Sequence, residues 1–396
     1  MSDIGYLLSA AAVRERCGVV FAAAERGETR HFRLVPERLD DAVARVVAVT
    51  RRRYLDLAVP FHSRWRHFAA GGVGRATLVA PGADVPETAR ARLDLAVVSV
   101  LLDAGAGPGW SYREAASGPV LSRSEGLAVA SLRAMQAGLF SSDANWPWRC
   151  DAAALAALSP ERLGCALQHR PDNPLAGLAG RALLLRRLGE TIAAQPALFG
   201  SPARPGHLYD FWLPRREDLP APEMLRLILR ALGPIWPGRP SQEGVPLGDC
   251  GWHRVIPGDG IVPFHKLSQW LCYSLIEPLA DAGFTITGIG DLTGLAEYRN
   301  GGLFLDCGVI VPRDAGLLCR PLDPFEEAVV EWRALTVALL DRLAERVRQR
   351  LGMTAAEFPL AKVLEGGSWA AGREIAAELR PGGGAPLQIA SDGTLF

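Results

Sequence analysis

Lysine is almost missing from this chain. Lys266 and Lys362 are the only two lysines among 43 basic residues, which leaves 41 arginines. Long apolar runs are missing too. No stretch approaches the ~20 residues that a membrane-spanning helix needs. No basic segment precedes an apolar one between Met1 and Tyr6, so no secretory signal is expected. The seven cysteines stand singly at 17, 150, 165, 250, 272, 307 and 319. Their number is odd and no CxxC occurs, which argues against a disulfide framework or zinc knuckle and for a cytoplasmic protein. Formal net charge is zero. A general nucleic-acid binder carries a basic excess, so nucleic acid is not an expected partner, nor is a membrane. GxxxxGK[ST], GxSxG and HExxH are absent, and Gly288-Ile-Gly290 is too short to stand for GxGxxG in a βαβ setting. Phosphate-loop, serine-hydrolase, zinc-protease and dinucleotide chemistries all lose ground.

The scarcity of lysine gives each survivor some meaning. Arginine is bulky, forked and always charged, whereas a lysine ammonium is compact and its pKa can be lowered. Lys266 and Lys362 either occupy places where arginine fails or remain by chance.

Helical signals dominate the pattern. Apolar residues recur at helical spacing between Pro36 and Tyr54, through Leu39, Val43, Val46 and Val47. The segment Pro86–Ala104 reads as a helix buried on most of its circumference. Ser122-Arg-Ser-Glu125 is a capping box that opens a helix running to Ala137, with Gly138 as its stop. Ser159-Pro160-Glu161 places an N-cap before a first-turn proline. Further helices are predicted at Leu175–Ala194, Glu223–Leu232, Lys266–Ala282, Pro324–Leu351 and Gly372–Leu379. Strand signals are few: a hairpin within Val19–Val35 around Arg26-Gly27, and short runs at Phe284–Ile289, Leu303–Val311 and Leu387–Ile389. The expected fold is mainly α, with a few short strands. It divides into residues 1–233 and a C-terminal part, 234–396, that carries most of the candidate site. The Pro/Gly-rich stretch Pro234–Gly260 is either a boundary between the two parts or a long loop over the site, and the parts are expected to pack as one unit.

Four segments gather chemistry-bearing residues. Lys266, Gln269, Trp270 and Tyr273 fall at i, i+3, i+4 and i+7 and share a helical face, while Leu267, Leu271 and Leu275 take another. An aromatic ring beside amide and ammonium donors suits a small polar ligand; the alternative is a lysine lying along packed aromatics. Asp291 to Gly302 places Asp291, Glu297, Tyr298, Arg299 and Asn300 close together before paired glycines. A carboxylate there would act as acid, base or nucleophile, or the segment is a surface turn with an Arg–Glu pair. Glu331 and Arg333 lie ~200° apart on a helix and cannot face one pocket. His62, Arg64, Trp65 and His67 form a basic, aromatic stretch that would bind an anion or build an interface. Their histidine spacing does not match a helical metal pair, and no metal or cofactor is expected. Tyr209, Asp210, Phe211 and Trp212 form a smaller aromatic–acid cluster, and Lys362 stands near Glu365.

These residues carry a resemblance. His62-Ser-Arg-Trp-Arg-His67-Phe, Phe264-His-Lys-Leu-Ser-Gln-Trp270, Leu295-Ala-Glu-Tyr-Arg-Asn-Gly-Gly302, Val330-Glu-Trp-Arg-Ala-Leu-Thr336 and the ending Ser391-Asp-Gly-Thr-Leu-Phe396 resemble the uracil catabolism protein four family over nearly the whole chain. That family belongs to a pathway that opens uracil attached to ribose and ends in urea, and its members are thought to act on ribosylurea. The C-terminal half is also distantly similar to queuosine-salvage N-glycohydrolases. Those carry a lysine three residues before a glutamine, an acid-Tyr-Arg about thirty residues on, and a Glu-x-Arg in a helix. Their acid is aspartate where this chain has Glu297, which puts the carboxylate's reach in question. That similarity implies a helical, DNA-glycosylase-like core.

The resemblance implies hydrolysis of an N-glycosidic bond in ribosylurea or its phosphate. Glu297 would be the carboxylate at the anomeric carbon, with Lys266 orienting it. Asp210, Asp291, Glu331 or Asp306 would protonate the departing urea. Trp270, Tyr298 and Trp212 would pack on the substrate, and Arg64, Arg299 or Arg333 would hold a phosphate. Two alternatives stay open: hydrolysis at the urea carbon, and a non-catalytic protein that binds an intermediate or a pathway enzyme. A homo-oligomer fits all three.

Overall fold

Short polar side chains start several helices of this chain. In the computed structural model, which describes residues 3–114, 118–236 and 238–390, Ser9 caps the helix Ala10–Glu25 by accepting from Ala12 N at 3.1 Å. Asp84 caps Val85–Leu101 through Glu87 N at 2.8 Å, and Ser159 caps Pro160–Ala166 through Arg162 N at 3.2 Å. Such caps satisfy N–H groups that have no partner inside the helix. Gly352, at φ 70°, closes the 25-residue helix Glu327–Leu351. The fold is mainly α. Strands of the described residues occur only as six two-stranded pairs, each of two or three residues per strand.

The chain divides into two units. One comprises Met1–His62, Arg239–Gln269 and Gly288–Ala390; the other comprises Ser63–Gly238 and Trp270–Thr287. The helix Lys266–Asp281 contributes its first turn to the first unit and its remainder to the second.

Glu327–Leu351 is the core helix of the first unit. Every residue from Ala328 to Leu340 is buried. The helices Ala10–Glu25, Leu39–Arg53 and Tyr298–Asp306 pack against it. Tyr298–Asp306 comes close because residue 301 is glycine. The carbonyl of Gly301 accepts from Trp332 Nε1 at 3.2 Å, and a Cβ there would meet the indole. The paired glycines before Leu303 thus serve close approach inside a helix, not a surface turn. In the second unit, Val85–Leu101, Arg123–Gln136, Leu178–Ala193 and Ala221–Leu232 are the main helices. Val85–Leu101 is buried from Leu93 to Leu101 without interruption, as its apolar circumference predicts.

Three local expectations are corrected. No hairpin forms within Val19–Val35. Residues up to Glu25 are helical because Val13, Cys17, Val20 and Ala24 recur at helical spacing and are buried, and Phe32–Leu34 pairs instead with Ile310–Pro312. Leu303–Val311 is not one strand, since Leu303–Asp306 ends a helix and only Ile310–Pro312 is extended. The Ser122 capping box opens Arg123–Gln136 without a side-chain cap, because Arg123 sits at φ 55°, in the left-handed region. The ending Ser391–Phe396 lies outside the described residues.

Candidate functional site

The first unit gathers Lys266, Glu297 and Arg333 around an aspartate that the sequence pattern did not single out. Asp249 accepts from Arg333 Nη1 at 2.8 Å and Nη2 at 2.7 Å, a two-pronged contact. It also accepts from the main-chain N–H of Lys266 at 3.0 Å, and so anchors the start of the Lys266–Asp281 helix. Asp249 is buried. That alone would raise its pKa, but the adjacent guanidinium wins and holds the carboxyl at about 2, below its ordinary 3.8. Arg333 reaches on to the carbonyl of Ala296 at 3.3 Å, and its guanidinium lies 4.0 Å from the Phe264 ring centre. One arginine therefore ties the first residue of one helix to the residue before Glu297.

The residue ahead of Lys266 is unusual. His265 is fully buried at φ 49° and makes a 2.8 Å contact from Nε2 to the Leu7 carbonyl. Burial lowers its pKa. A bulky side chain in the left-handed region persists only where its surroundings hold it. Here it aims the chain so that Lys266 begins a helix.

Glu297 is the N-cap of Tyr298–Asp306. Its oxygens accept from Arg299 N at 2.7 Å and Asn300 N at 2.6 Å. Only 7% of its surface is exposed. Burial raises its pKa against the opposing pull of those two N–H groups and the charges of Lys266 and Arg299. The result is a carboxylate with an enhanced hold on a proton, in reach of the Lys266 charge. An ionised carboxylate has about four lone-pair positions, so two main-chain donors leave capacity for a reacting group.

The remaining candidates divide. Gln269 is buried and committed to the frame: its amide donates to Thr293 Oγ1 at 2.6 Å and to the Phe264 carbonyl at 3.0 Å, and its oxygen accepts from Thr293 N at 2.8 Å. Arg299 donates to the Gly383 carbonyl at 2.9 Å and lies 4.8 Å from the Tyr298 ring centre. Glu331, on another side of its helix from Arg333, accepts from Phe32 N at 2.7 Å and His31 N at 3.2 Å and meets His253 at 3.2 Å. Asp306 is clasped by Arg380 at 2.8 and 2.5 Å. It lies nine residues along the helix from Glu297, ~13 Å by helical rise, so the two carboxylates do not share a centre. Asp291 is exposed on a short turn. His62 is buried, with Nδ1 2.8 Å from Glu365.

Arg64, Trp65, Trp270 and the Tyr209–Trp212 cluster belong to the second unit. Arg64 is fully buried, paired with Asp103 at 2.8 Å and donating to Ser99 Oγ at 2.8 Å. Trp65 Nε1 donates to the Ser274 carbonyl at 2.9 Å, and Trp270 lies 5.8 Å, ring to ring, from His67. Asp210 is held by Arg90 at 2.8 and 2.6 Å, which lowers its pKa. Tyr209 packs edge-on against Phe284, Trp212 is buried, and Phe211 is exposed. Lys362 donates to the Glu357 carbonyl at 3.0 Å and is partly exposed. The expected separation of Lys266 and its neighbours from Leu267, Leu271 and Leu275 is not seen in burial: both groups are buried.

The whole chain has relatives. A family model described as protein of unknown function (DUF1688) matches residues 6–396. Protein urg3 of Schizosaccharomyces pombe is 40% identical over 407 aligned residues, which cover 99% of each chain. Uracil catabolism protein 4 of Lachancea kluyveri is 38% identical over 439 aligned residues, covering 100% of this chain and 99% of its own. With a family match over almost its full length and two end-to-end relatives, this chain belongs to the DUF1688 family.

Proposed function

We propose that this protein is an enzyme of uracil catabolism that hydrolyses the N-glycosidic bond of ribosylurea, or of its phosphate, to ribose and urea. The name of the Lachancea kluyveri relative supports the pathway. The observation that carries the chemistry is Glu297: a buried carboxylate with raised pKa, fixed by two main-chain N–H groups and influenced by the Lys266 charge.

Breaking a bond between ribose and nitrogen leaves positive charge on the sugar ring. A fixed carboxylate at the anomeric carbon stabilises that charge without rearranging as it develops. Helix capping prevents Glu297 from turning away, and burial keeps water from weakening its field. The raised pKa equips the same group to take the proton of an attacking water. The Lys266 charge tempers that rise. Arg333 and Asp249 position Lys266 through its main chain.

Purified protein incubated with ribosylurea, with products identified by mass, tests the reading. Ribose and urea in equal amounts are the expected result. Carbon dioxide and ammonia would move the reaction to the urea carbon, and tight binding without turnover would leave a carrier of the intermediate.

A further inference from the structure

The reaction needs a second group, because urea leaves poorly unless it is protonated as it departs. Asp210, Asp291, Glu331 and Asp306 are placed for other work. Asp210 is clasped by Arg90 and Asp306 by Arg380, Glu331 holds main-chain N–H groups, and Asp291 is exposed.

A different titratable pair stands in the first unit. His62 Nδ1 and Glu365 Oε2 are 2.8 Å apart, with only 4% and 6% of the two residues exposed. Glu365 also accepts from Tyr54 Oη at 3.0 Å and Arg53 Nη2 at 3.4 Å. The Trp369 ring lies 6.5 Å from the imidazole. Glu365 occupies a wide, π-helical turn, Leu364–Ser368, between the helices Leu360–Val363 and Trp369–Leu379. The turn is pressed against the Leu39–Arg53 helix, where a Cβ on Gly367 would stand 2.5 Å from the Val46 carbonyl oxygen. Such turns recur at functional sites.

The partners of Glu365 decide how His62 works. A carboxylate beside an arginine and a tyrosine hydroxyl is an acceptor, so His62 Nδ1 carries a hydrogen. Nε2 is then the atom that gains and loses the second proton. The same turn ends at Ser368, whose hydroxyl donates to Asn300 Oδ1 at 2.9 Å, and Asn300 N is one of the two donors that hold Glu297. The turn that carries Glu365 therefore also meets, through Ser368, the residue whose N–H holds Glu297.

We infer that His62 Nε2 delivers the proton to the leaving nitrogen, with Glu365 as the positioning residue that fixes its ring; this rests on the N-glycoside reading. The bond between the anomeric carbon and nitrogen breaks, and its electron pair goes to the urea nitrogen, which takes the proton from Nε2. Water gives its oxygen to the anomeric carbon and one proton to Glu297. That proton returns to His62 through solvent, so the sum is ribosylurea plus water to ribose plus urea.

The test uses the full chain and ribosylurea. General acid catalysis contributes about 10²- to 10⁴-fold, so His62→Ala should lose at least ~100-fold in kcat with little change in KM. Added imidazole should restore part of the loss, which a purely structural role does not allow. Glu365→Gln should lower kcat by less. Nitrogen-15 shifts of the His62 ring should report the Nδ1–H form in the parent and its loss in Glu365→Gln, a readout that stands if His62→Ala fails to fold. Parental turnover in His62→Ala, no rescue of a folded inactive variant, or an Nε2–H form in the parent would each overturn the inference alone. A parent protein that releases neither product overturns the N-glycoside reading and the inference with it.

Discussion

Two regions bury carboxylates in opposite ways. In the second unit, Glu114 is 1% exposed and faces two arginines. Arg75 Nε donates to it at 2.9 Å and Arg133 Nε at 2.8 Å. Arg75 Nη2 also donates to Glu114, and Nη1 donates to the carbonyls of Phe68, Ala70 and Val73. In the first unit, the oxygens of Glu297 meet main-chain N–H groups, and burial raises its pKa. The difference separates scaffolding from chemistry. A carboxylate saturated by guanidinium groups cannot trade protons, while one held by main-chain dipoles can.

The largest effect expected from this contrast is on folding. Glu114→Gln leaves two guanidinium groups without their counter-charge and should cost ~3–5 kcal/mol of stability, measured by denaturant unfolding. Turnover per folded molecule should hold; a parallel loss of turnover would merge the two roles. Glu297→Gln should do the reverse. Losing the carboxylate should raise the barrier by at least ~3 kcal/mol, about a hundredfold in rate, with the protein still folded. In the parent, the rise of activity with pH should lie above the ordinary glutamate value of 4.5, because burial raises the Glu297 pKa.

Lys266→Arg comes next. Arginine is longer, planar and cannot give up its proton at physiological pH, so it should displace either Glu297 or the substrate. A 1 Å misplacement costs around a hundredfold in rate. Unchanged turnover with unchanged melting would reduce Lys266 to an apolar stem. The smallest effect concerns Asp249. Its pKa is about 2 in the folded chain and 3.8 otherwise. The folded state therefore binds fewer protons than the unfolded one in this window, and the contribution is present above pH 3.8 and lost as pH falls towards 2. That lowering corresponds to ~2 kcal/mol. Stability measured from pH 5 to 2 should show that slope in the parent and lack it in Asp249→Asn.

How much of this was legible in the sequence follows from distance along the chain. Ser159, the helix Leu39–Arg53 and the Glu297–Gly302 run could be read locally because caps and spacing act within a few residues. That Glu331 and Arg333 take separate partners followed from helical geometry alone. Asp249 escaped because its partner Arg333 is 84 residues away, and an aspartate in a Pro/Gly-rich stretch looks like any turn residue. β-branched Val19 and Val20 favour a strand in isolation, while packing against the Glu327–Leu351 helix makes them helical. In the sequence Glu365 stands out only as an acid near Lys362, since nothing in local propensity marks a π turn.

That turn has a consequence for the alignment of the whole C-terminal segment. A π turn holds one residue more than an α turn, so side chains before it are out of phase with those after it by ~100°. Deleting Gly366 would let Leu360–Leu379 wind as a single α-helix. Glu365 would then swing about a quarter of the circumference away from its present direction relative to Ser368 and Trp369. Every acid, imidazole and arginine of the site would still be present. What one missing glycine removes is their phase, and no side-chain substitution removes that by itself.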